Sequence, residues 1–364
     1  MRVTGAVQTG KYLRNSNSVL SRIANISNRI NSQRSFDRVS ENPTNGVRSL
    51  IIRRNLKKLG MYEDNISAAK EVFTSAETSL MNVSTSIAND TIPKLVAGLT
   101  DSNSADDKKV IAQELRAVAG EMVAELNTQI AERRLFGGTN NDALAFKIEN
   151  DTVYYNNVDV SANVEQKWFD AAGNEVEQSL GVTSAYYFNG EEVTAEQANG
   201  SLASLFPSST PIYVDIGLGI KYDNYGAVQP LTAMDIAING AKATGCGTDA
   251  DGHSRNIIQL VLDAAVSLEN DDGTEGRAVL DKIHNAHQTI LVAVADLGTK
   301  SKSLDYSLTR ISSDELNLLS SQNDAEAVDM TEELIDYEAS YAAYNAILQM
   351  GSKVIPNSIF NFIS

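Results

Sequence analysis

The sequence predicts a mainly α-helical fold with a β-rich insert. Long, antiparallel, coiled-coil-like helical rods are formed by the amino- and carboxyl-terminal segments, with a β domain between them. Three observations predict it. Apolar residues recur at alternating steps of three and four through both ends of the 364-residue chain, the spacing that lays one helix along another. From about residue 146 to 230 that spacing gives way to runs rich in Val, Tyr and Asn, which suit short strands and turns. Charge is divided too. Residues 1–60 hold 12 Lys/Arg and 2 Asp/Glu, whereas residues 321–364 hold 7 acidic residues and Lys353 alone, in a chain of net charge −17.

The first helix is carried by Tyr12, Ser16, Val19, Ile23, Ile26 and Ile30, with Arg14, Arg22 and Arg29 off that seam. Pro43, Asn45 and Gly46 in RSFDRVSENPTNG end its periodicity. Leu59, Tyr62, Ile66, Ala69, Phe73, Ala76, Leu80, Val83 and Ile87 form the longest run, which stops near Pro93. A helix over 46–97 is a rod of roughly 75 Å at ~1.5 Å per residue. After the polar DSNSADDKK, Ile111, Leu115, Val118, Met122 and Leu126 predict a return helix. It is expected to end near RRLFGGTNN, with Gly137 and Gly138 at its C-terminus.

In the middle, Asn189-Gly190 between β-prone runs predicts a hairpin. IYVDIGLGIKY alternates through Ile212, Val214, Ile216, Leu218 and Ile220, as a strand does. Helices resume at SRNIIQLVLDAAVSLEN, and Val279, Ile283, Ala286, Ile290, Ala293, Leu297, Leu304, Ile311 and Leu318 share one heptad frame. The polar SSQNDAEAV interrupts it, with Asn323 and Glu326 spaced as a capping box for the next helix. The seam of that helix is Met330, Leu334, Tyr337, Tyr341, Tyr344 and Leu348.

A chain that leaves along helices and returns along helices brings its two ends together antiparallel. The expected parts are therefore 1–45 plus 322–364, a terminal-helix domain; 46–145 plus 254–321, a long-helix rod; and 146–253, an outer β-rich insert. The insert begins and ends in Gly- and Asn-rich turns, so it is expected to make few contacts with the rods. The 330–348 seam is expected to pack on the 12–30 seam, with Arg14, Arg22 and Arg29 facing Glu332, Glu333, Asp336 and Glu338. Two such helices are marginal alone in water and would gain most by packing against other copies.

Composition narrows function. The net charge of −17 speaks against general nucleic-acid binding, and no window approaches 18 apolar residues, so no membrane insertion is expected. The amino terminus carries no apolar core and no small-residue cleavage site, so no cleaved secretory signal is expected. Cys246 is a lone thiol without an activating neighbour. His284 and His287 stand at i and i+3, a spacing that can hold a metal, but no carboxylate or thiol pair completes such a site. No catalytic residue, metal or cofactor is expected, and the chain is read as a non-enzyme.

Several segments in order carry a resemblance. They are the opening MRVT, the turn Ser40-Glu41-Asn42-Pro43, ERRLFGGTNNDALAF followed by VYYNN, DIGLGIKYDNYG before the return helix, NDAEAVDMTEEL, and the apolar IPNSIFNFIS. Over about residues 1–150 and 210–364 the chain resembles the bacterial flagellin superfamily, in particular its hook-associated protein 3 group, which forms the hook–filament junction. Glu41-Asn42 stands where that family has Asp-Asp, and residues 151–210 match no known pattern. The resemblance implies a structural subunit of the extracellular flagellum, exported unfolded through the flagellar type III apparatus without a cleaved signal. It implies terminal helices that form an inner tube with other copies of the chain in a ring. It also implies contacts with a neighbouring hook-associated protein and flagellin, and an export chaperone on the C-terminal region. On that reading Tyr12, Val19, Ile23, Ile26, Ile30, Met330, Leu334, Tyr337, Tyr341, Tyr344 and Leu348 are the packing seam. The alternatives are flagellin itself, the main filament subunit, and, from another class, an enzyme or ligand-binding module in the β insert.

Overall fold

The computed structural model describes residues 5–100, 103–130, 133–140, 143–207, 209–229 and 232–354. The opening MRVT and the closing IPNSIFNFIS therefore lie outside the described residues. In chain order the elements are α1 (Gly5–Ser32), α2 (Pro43–Ser86), a wide π turn (Ile87–Thr91), α3 (Ile92–Gly98) and α4 (Ala105–Leu126). The strands β1 (Gln129–Ile130), β2 (Arg133–Arg134), β3 (Phe146–Glu149), β4 (Thr152–Tyr155) and β5 (Val158–Asp159) come next, then β6 (Val164–Phe169), β7 (Glu175–Val176), β8 (Thr183–Phe188) and β9 (Glu191–Val193). Last come α5 (Ala195–Ala198), β10 (Tyr213–Val214), β11 (Met234–Asp235), α6 (Gly240–Thr244), α7 (Ile257–Glu269), α8 (Gly273–Glu326) and α9 (Met330–Val354). This is the mainly α fold with a β-rich middle that the sequence predicts.

The chain divides into two compact units, residues 1–61 with 310–364, and residues 62–309. In the second, the seam residues of α2 are buried (Ile66, Ala69, Phe73, Ala76, Leu80, Val83), as are Val279, Ile283, Ala286, Ile290, Leu297 and Leu304 of α8. The two helices run antiparallel. Lys70 pairs with Asp305 at 2.5 Å, and further along Ser84 shares a 2.7 Å hydrogen bond with His287. The rod runs past Pro93 to Gly98, as the helix expected over 46–97 does. A proline at that position would drive its ring into the carbonyl of Asn89, and the wide turn Ile87–Thr91 opens the helix just there before α3 continues it. Helix α4, capped by the reciprocal Ser104–Asp107 box, returns and packs on α7.

The predicted hairpin is present. Asn189 (φ 50°) and Gly190 (φ 81°) turn β8 into β9, the left-handed pair that such a two-residue turn needs. The sheet order is β7-β6-β8-β9, and the edge strand β9 carries Glu191 and Glu192, charges that discourage edge-to-edge pairing.

Three local expectations are corrected. Helix α4 ends at Leu126, well before Gly137 and Gly138, because Asn127 leaves the helix to bond both the N–H (3.0 Å) and the carbonyl (2.8 Å) of Phe146. The alternating IYVDIGLGIKY forms a strand only at Tyr213 and Val214, with one isolated bridge from Tyr222 to Val228. Beyond Val214 the Asp215 carboxylate accepts from the Gly217 N–H, and Gly217 and Gly219 adopt positive φ, which breaks the strand. The Asn323–Glu326 capping box does not form. Helix α8 runs through Asn323 to Glu326, and the Asp329 carboxylate caps α9 by accepting from Thr331 and Glu332 N–H.

The insert also meets the helices more closely than its boundaries suggest. Gln259 of α7 accepts from the Val153 N–H and donates to the Asp151 carbonyl. Arg116 of α4 bridges Asp151 and Glu269. Tyr155, fully buried, donates to the Phe136 carbonyl and accepts from the Gly240 N–H. Strands β3–β5 are thus part of the helical body, and replacing residues 147–250 by a short link should unfold the 62–309 unit. A finer test uses Gly240, where an added Cβ would sit 2.7 Å from the rings of both Phe146 and Tyr155. Gly240→Ala is expected to destabilise that unit by roughly 1–3 kcal/mol, read as a lower urea midpoint, with the helical far-UV spectrum retained.

Candidate assembly interface

In the unit made of residues 1–61 and 310–364, α1 and α9 lie side by side and antiparallel. Arg29 makes a two-pronged ion pair with Glu333 (2.8 and 3.0 Å), Arg22 meets Asp336 at 3.3 Å, and Gly351 lies under the ring of Tyr12. Any side chain at 351 would collide with that ring, so the glycine sets how closely the far end of the pair can approach. The Arg29–Glu333 pair is the better shielded of the two. Exposed pairs such as Arg22–Asp336 contribute about 0–1 kcal/mol, so charge fixes register here more than it supplies stability.

The structure places the predicted seam residues in two groups. On α1, Ile26 is buried (1% exposed) and Tyr12, Val19, Ile23 and Ile30 are half-buried. On α9, Tyr337 and Tyr344 are half-buried, but Met330, Leu334, Tyr341 and Leu348 stand in solvent, Leu334 at 49% and Tyr341 at 52%. The more buried side of α9 runs instead through Glu333, Tyr337, Ser340, Tyr344, Ile347 and Gly351, again in steps of four and three but on a neighbouring line. The expected pairing of the whole 330–348 seam on α1 is corrected accordingly: it joins through Tyr337 and Tyr344 only. Small Ser340 and Gly351, which an apolar count passes over, let the two backbones approach.

What this leaves outside is ordered. Leu334, Tyr341 and Leu348 recur every seven residues on α9, as Leu13 and Leu20 do on α1, and all five are exposed. Tyr341 stacks on Tyr337 with ring centroids 6.3 Å apart and planes 9° from parallel, so the stripe is shaped and not loose. Among the described residues the helix pair thus covers one seam and shows a second at heptad spacing, the pattern by which helices pack on one another.

At the base of the pair is a buried carboxylate, Glu326. It accepts from Arg53 Nε and Nη2 (3.0 and 2.8 Å), Arg34 Nη2 (2.8 Å), Gln322 Nε2 (3.2 Å) and the Ser49 hydroxyl. The Glu326 carbonyl accepts from the Ser35 N–H (2.7 Å), and the Val328 N–H donates to the Gln33 carbonyl. Burial pushes this carboxyl up, but the bonds from Arg53, Ser49 and Gln322 outweigh burial and hold it at about 2. Sequence reading missed this cluster because Arg53 and Arg34 are 273 and 292 positions away. The turn before α2 is tied locally: Asn42 caps the Asn45 N–H, and Glu41 accepts from Asp37 and Arg38 N–H.

Other candidates are already engaged. His287 is held by Ser84 and His284 by the Leu280 carbonyl, and burial together with the nearby His284 lowers the His287 pKa. Burial pushes the Cys246 thiol up to about 11, against the pull of Arg255. An open cleft of about 640 Å³ lies among Ile238, Asn239, Val292, Asp296 and Lys300 in the 62–309 unit, where Asp296 pairs with Lys300 at 3.5 Å. Among the described residues no group of three or more His, Cys, Asp or Glu could hold a metal ion, and no described helix is long and apolar enough to cross a membrane.

No sequence-family model matches the chain, and no curated protein matches its sequence. Solved structures do. A "putative flagellar hook-associated protein" from Vibrio parahaemolyticus matches at 18% identity over 79% of this chain and 100% of that one, with a TM-score of 0.54. FlgL of Bacillus cereus matches at 14% identity over 75% of this chain and 98% of that one, with a TM-score of 0.45. FlgL of Xanthomonas campestris matches at 17% identity over 75% and 99%, with a TM-score of 0.43. The chain has the fold of the Vibrio protein along that protein's whole length.

Two outcomes separate buried from exposed seam positions. Ile26→Asp puts an unpaired charge into a buried site and should weaken the α1–α9 pair by several kcal/mol, on the order of 3–5. Tyr341→Asp, at an exposed site, should leave monomer melting within about 0.5 kcal/mol, both variants being measured by calorimetry. A further outcome concerns acid. The Glu326 carboxyl has a folded pKa of about 2 against a reference of 4.5. Its contribution, on the order of 3 kcal/mol, is therefore fully present above pH 4.5 and is lost as pH falls through about 2. Glu326→Gln should remove that component from the acid-unfolding curve.

Proposed function

We propose that this chain is a structural subunit of the extracellular bacterial flagellum that forms the junction between hook and filament. One observation carries the reading: α1 and α9 pair with each other and still present a heptad-spaced apolar stripe, through Leu13 and Leu20 on one helix and Leu334, Tyr341 and Leu348 on the other. A monomer gains nothing from such a stripe. Copies arranged in a ring bury it, each helix pair lying against the next. The fold shared with the whole of the Vibrio hook-associated chain supports the flagellar setting, and the resemblance of the terminal segments to the junction group supports the place within it.

On this reading the terminal helices form an inner layer, with a neighbouring hook-associated protein on one side and flagellin on the other. The chain leaves the cell unfolded, without a cleaved signal, and an export chaperone covers its C-terminal region first. A helix pair with one fully buried large side chain on α1, Ile26, suits a chain that must be threaded out and then refold at its destination. The test is electron microscopy of cells lacking the protein. Hooks without filaments, with flagellin in the medium, are expected, and the wild-type chain restores filaments while Tyr341→Asp does not. Normal filaments on the null cells would overturn the reading.

A further inference from the structure

The Glu326 cluster has no part in the stripe, and its geometry joins four pieces of chain. Arg34 lies just after α1, Ser49 and Arg53 belong to the first turns of α2, Gln322 and Glu326 to the last turns of α8, and α9 begins four residues later. Backbone bonds add to the join, since Arg34 and Ala327 form an antiparallel bridge beside the bonds of Ser35 and Val328. Both arginines remain over 40% exposed, while the carboxylate beneath them is 10% exposed. Two cations thus cover one buried anion. A buried charge is tolerated only when paired and hydrogen-bonded, and removing one partner is costly because the other is left uncompensated. The cluster is therefore a fastening that is either complete or lost.

We propose that Glu326 is a positioning residue: its single carboxylate holds the α1–α9 pair in fixed register with the start of α2 and the end of α8, so that the exposed stripe is presented already folded. The proposal rests on the assembly reading for what the stripe is for, but not for the fastening itself. Ordering a helix pair in advance spares the interface the entropy of ordering it on contact. The arginines act only through Glu326. Neither has a role in the pair once the carboxylate is gone, and this sets the mechanism apart from two independent surface ion pairs.

The experiment is hydrogen–deuterium exchange on the purified full chain, with variants Glu326→Ala, Glu326→Gln, Arg34→Ala and Arg53→Ala, alone and combined. Glu326→Ala is expected to speed exchange across α1 and α9 tenfold or more while residues 62–309 stay within twofold of wild type. Each arginine variant should speed exchange in the same helices when Glu326 is intact, and add nothing when residue 326 is alanine. If Glu326→Ala unfolds throughout, Glu326→Gln, which keeps an oxygen for Ser49, must show the same selective loss. Exchange in α1 and α9 within twofold of wild type in both variants overturns the proposal, as does full additivity of the arginine substitutions on Glu326→Ala. Sedimentation of the wild-type chain separates the two readings. Protected, Glu326-dependent helices in a chain that never self-associates leave the fastening in place and remove the assembly function.

Discussion

The burial of one continuous seam between outgoing and returning helices underlies most of the fold. Phe73, Leu80 and Ile283, Ile290 are fully or nearly fully buried, and each such side chain contributes about 1.5–3 kcal/mol relative to exposure. Within the 62–309 unit the seam is antiparallel, as the Lys70–Asp305 and Ser84–His287 contacts show. The same geometry lets β3–β5 and α6 close over α4 and α7 within the 62–309 unit, with Tyr155, Gln259 and Arg116 as the polar joints.

The terminal unit is held by different means. Ile26 and Phe36 are buried on its amino-terminal side, but most other seam residues there are only half-buried. Its register is set by the two-pronged Arg29–Glu333 pair, the Glu326 cluster and the glycine under Tyr12. Such groups define register sharply, and the exposed ion pairs among them add little net stability. A unit of this kind has one arrangement, set by a few polar contacts rather than by a large apolar core.

The location of the apolar stripe gives the functional reading its content. Exposed apolar residues scattered singly need no account. Leu334, Tyr341 and Leu348 repeat every seven positions on a helix whose other side is already occupied, and repetition at helical spacing is the mark of a surface that meets another helix. The charge asymmetry fits this. Within one chain Arg22 and Arg29 meet Asp336 and Glu333, while Glu332 and Glu338 stay exposed on α9 and Lys11 and Arg14 on α1.

By itself the sequence determined the elements and their order, because helix and strand spacing are local properties: the long runs of α2 and α8, the Asn189-Gly190 hairpin and the helical ends were all legible. It determined less wherever a side chain answered to a distant partner. Asn127 ended α4 for the sake of Phe146, and the rod passed Pro93 by a wide turn that the apolar spacing did not show. Two glycines of positive φ undid an alternation that looked like a strand. Glu326, spaced like a capping residue, was taken by arginines from the other end of the chain. The α9 seam shows the limit best. Both of its lines have steps of three and four, and apolarity favoured the one through Leu334 and Tyr341. Only the tertiary structure decided that the line with Ser340 and Gly351 faces inward, because close approach of two backbones needs small residues and leaves the larger ones exposed.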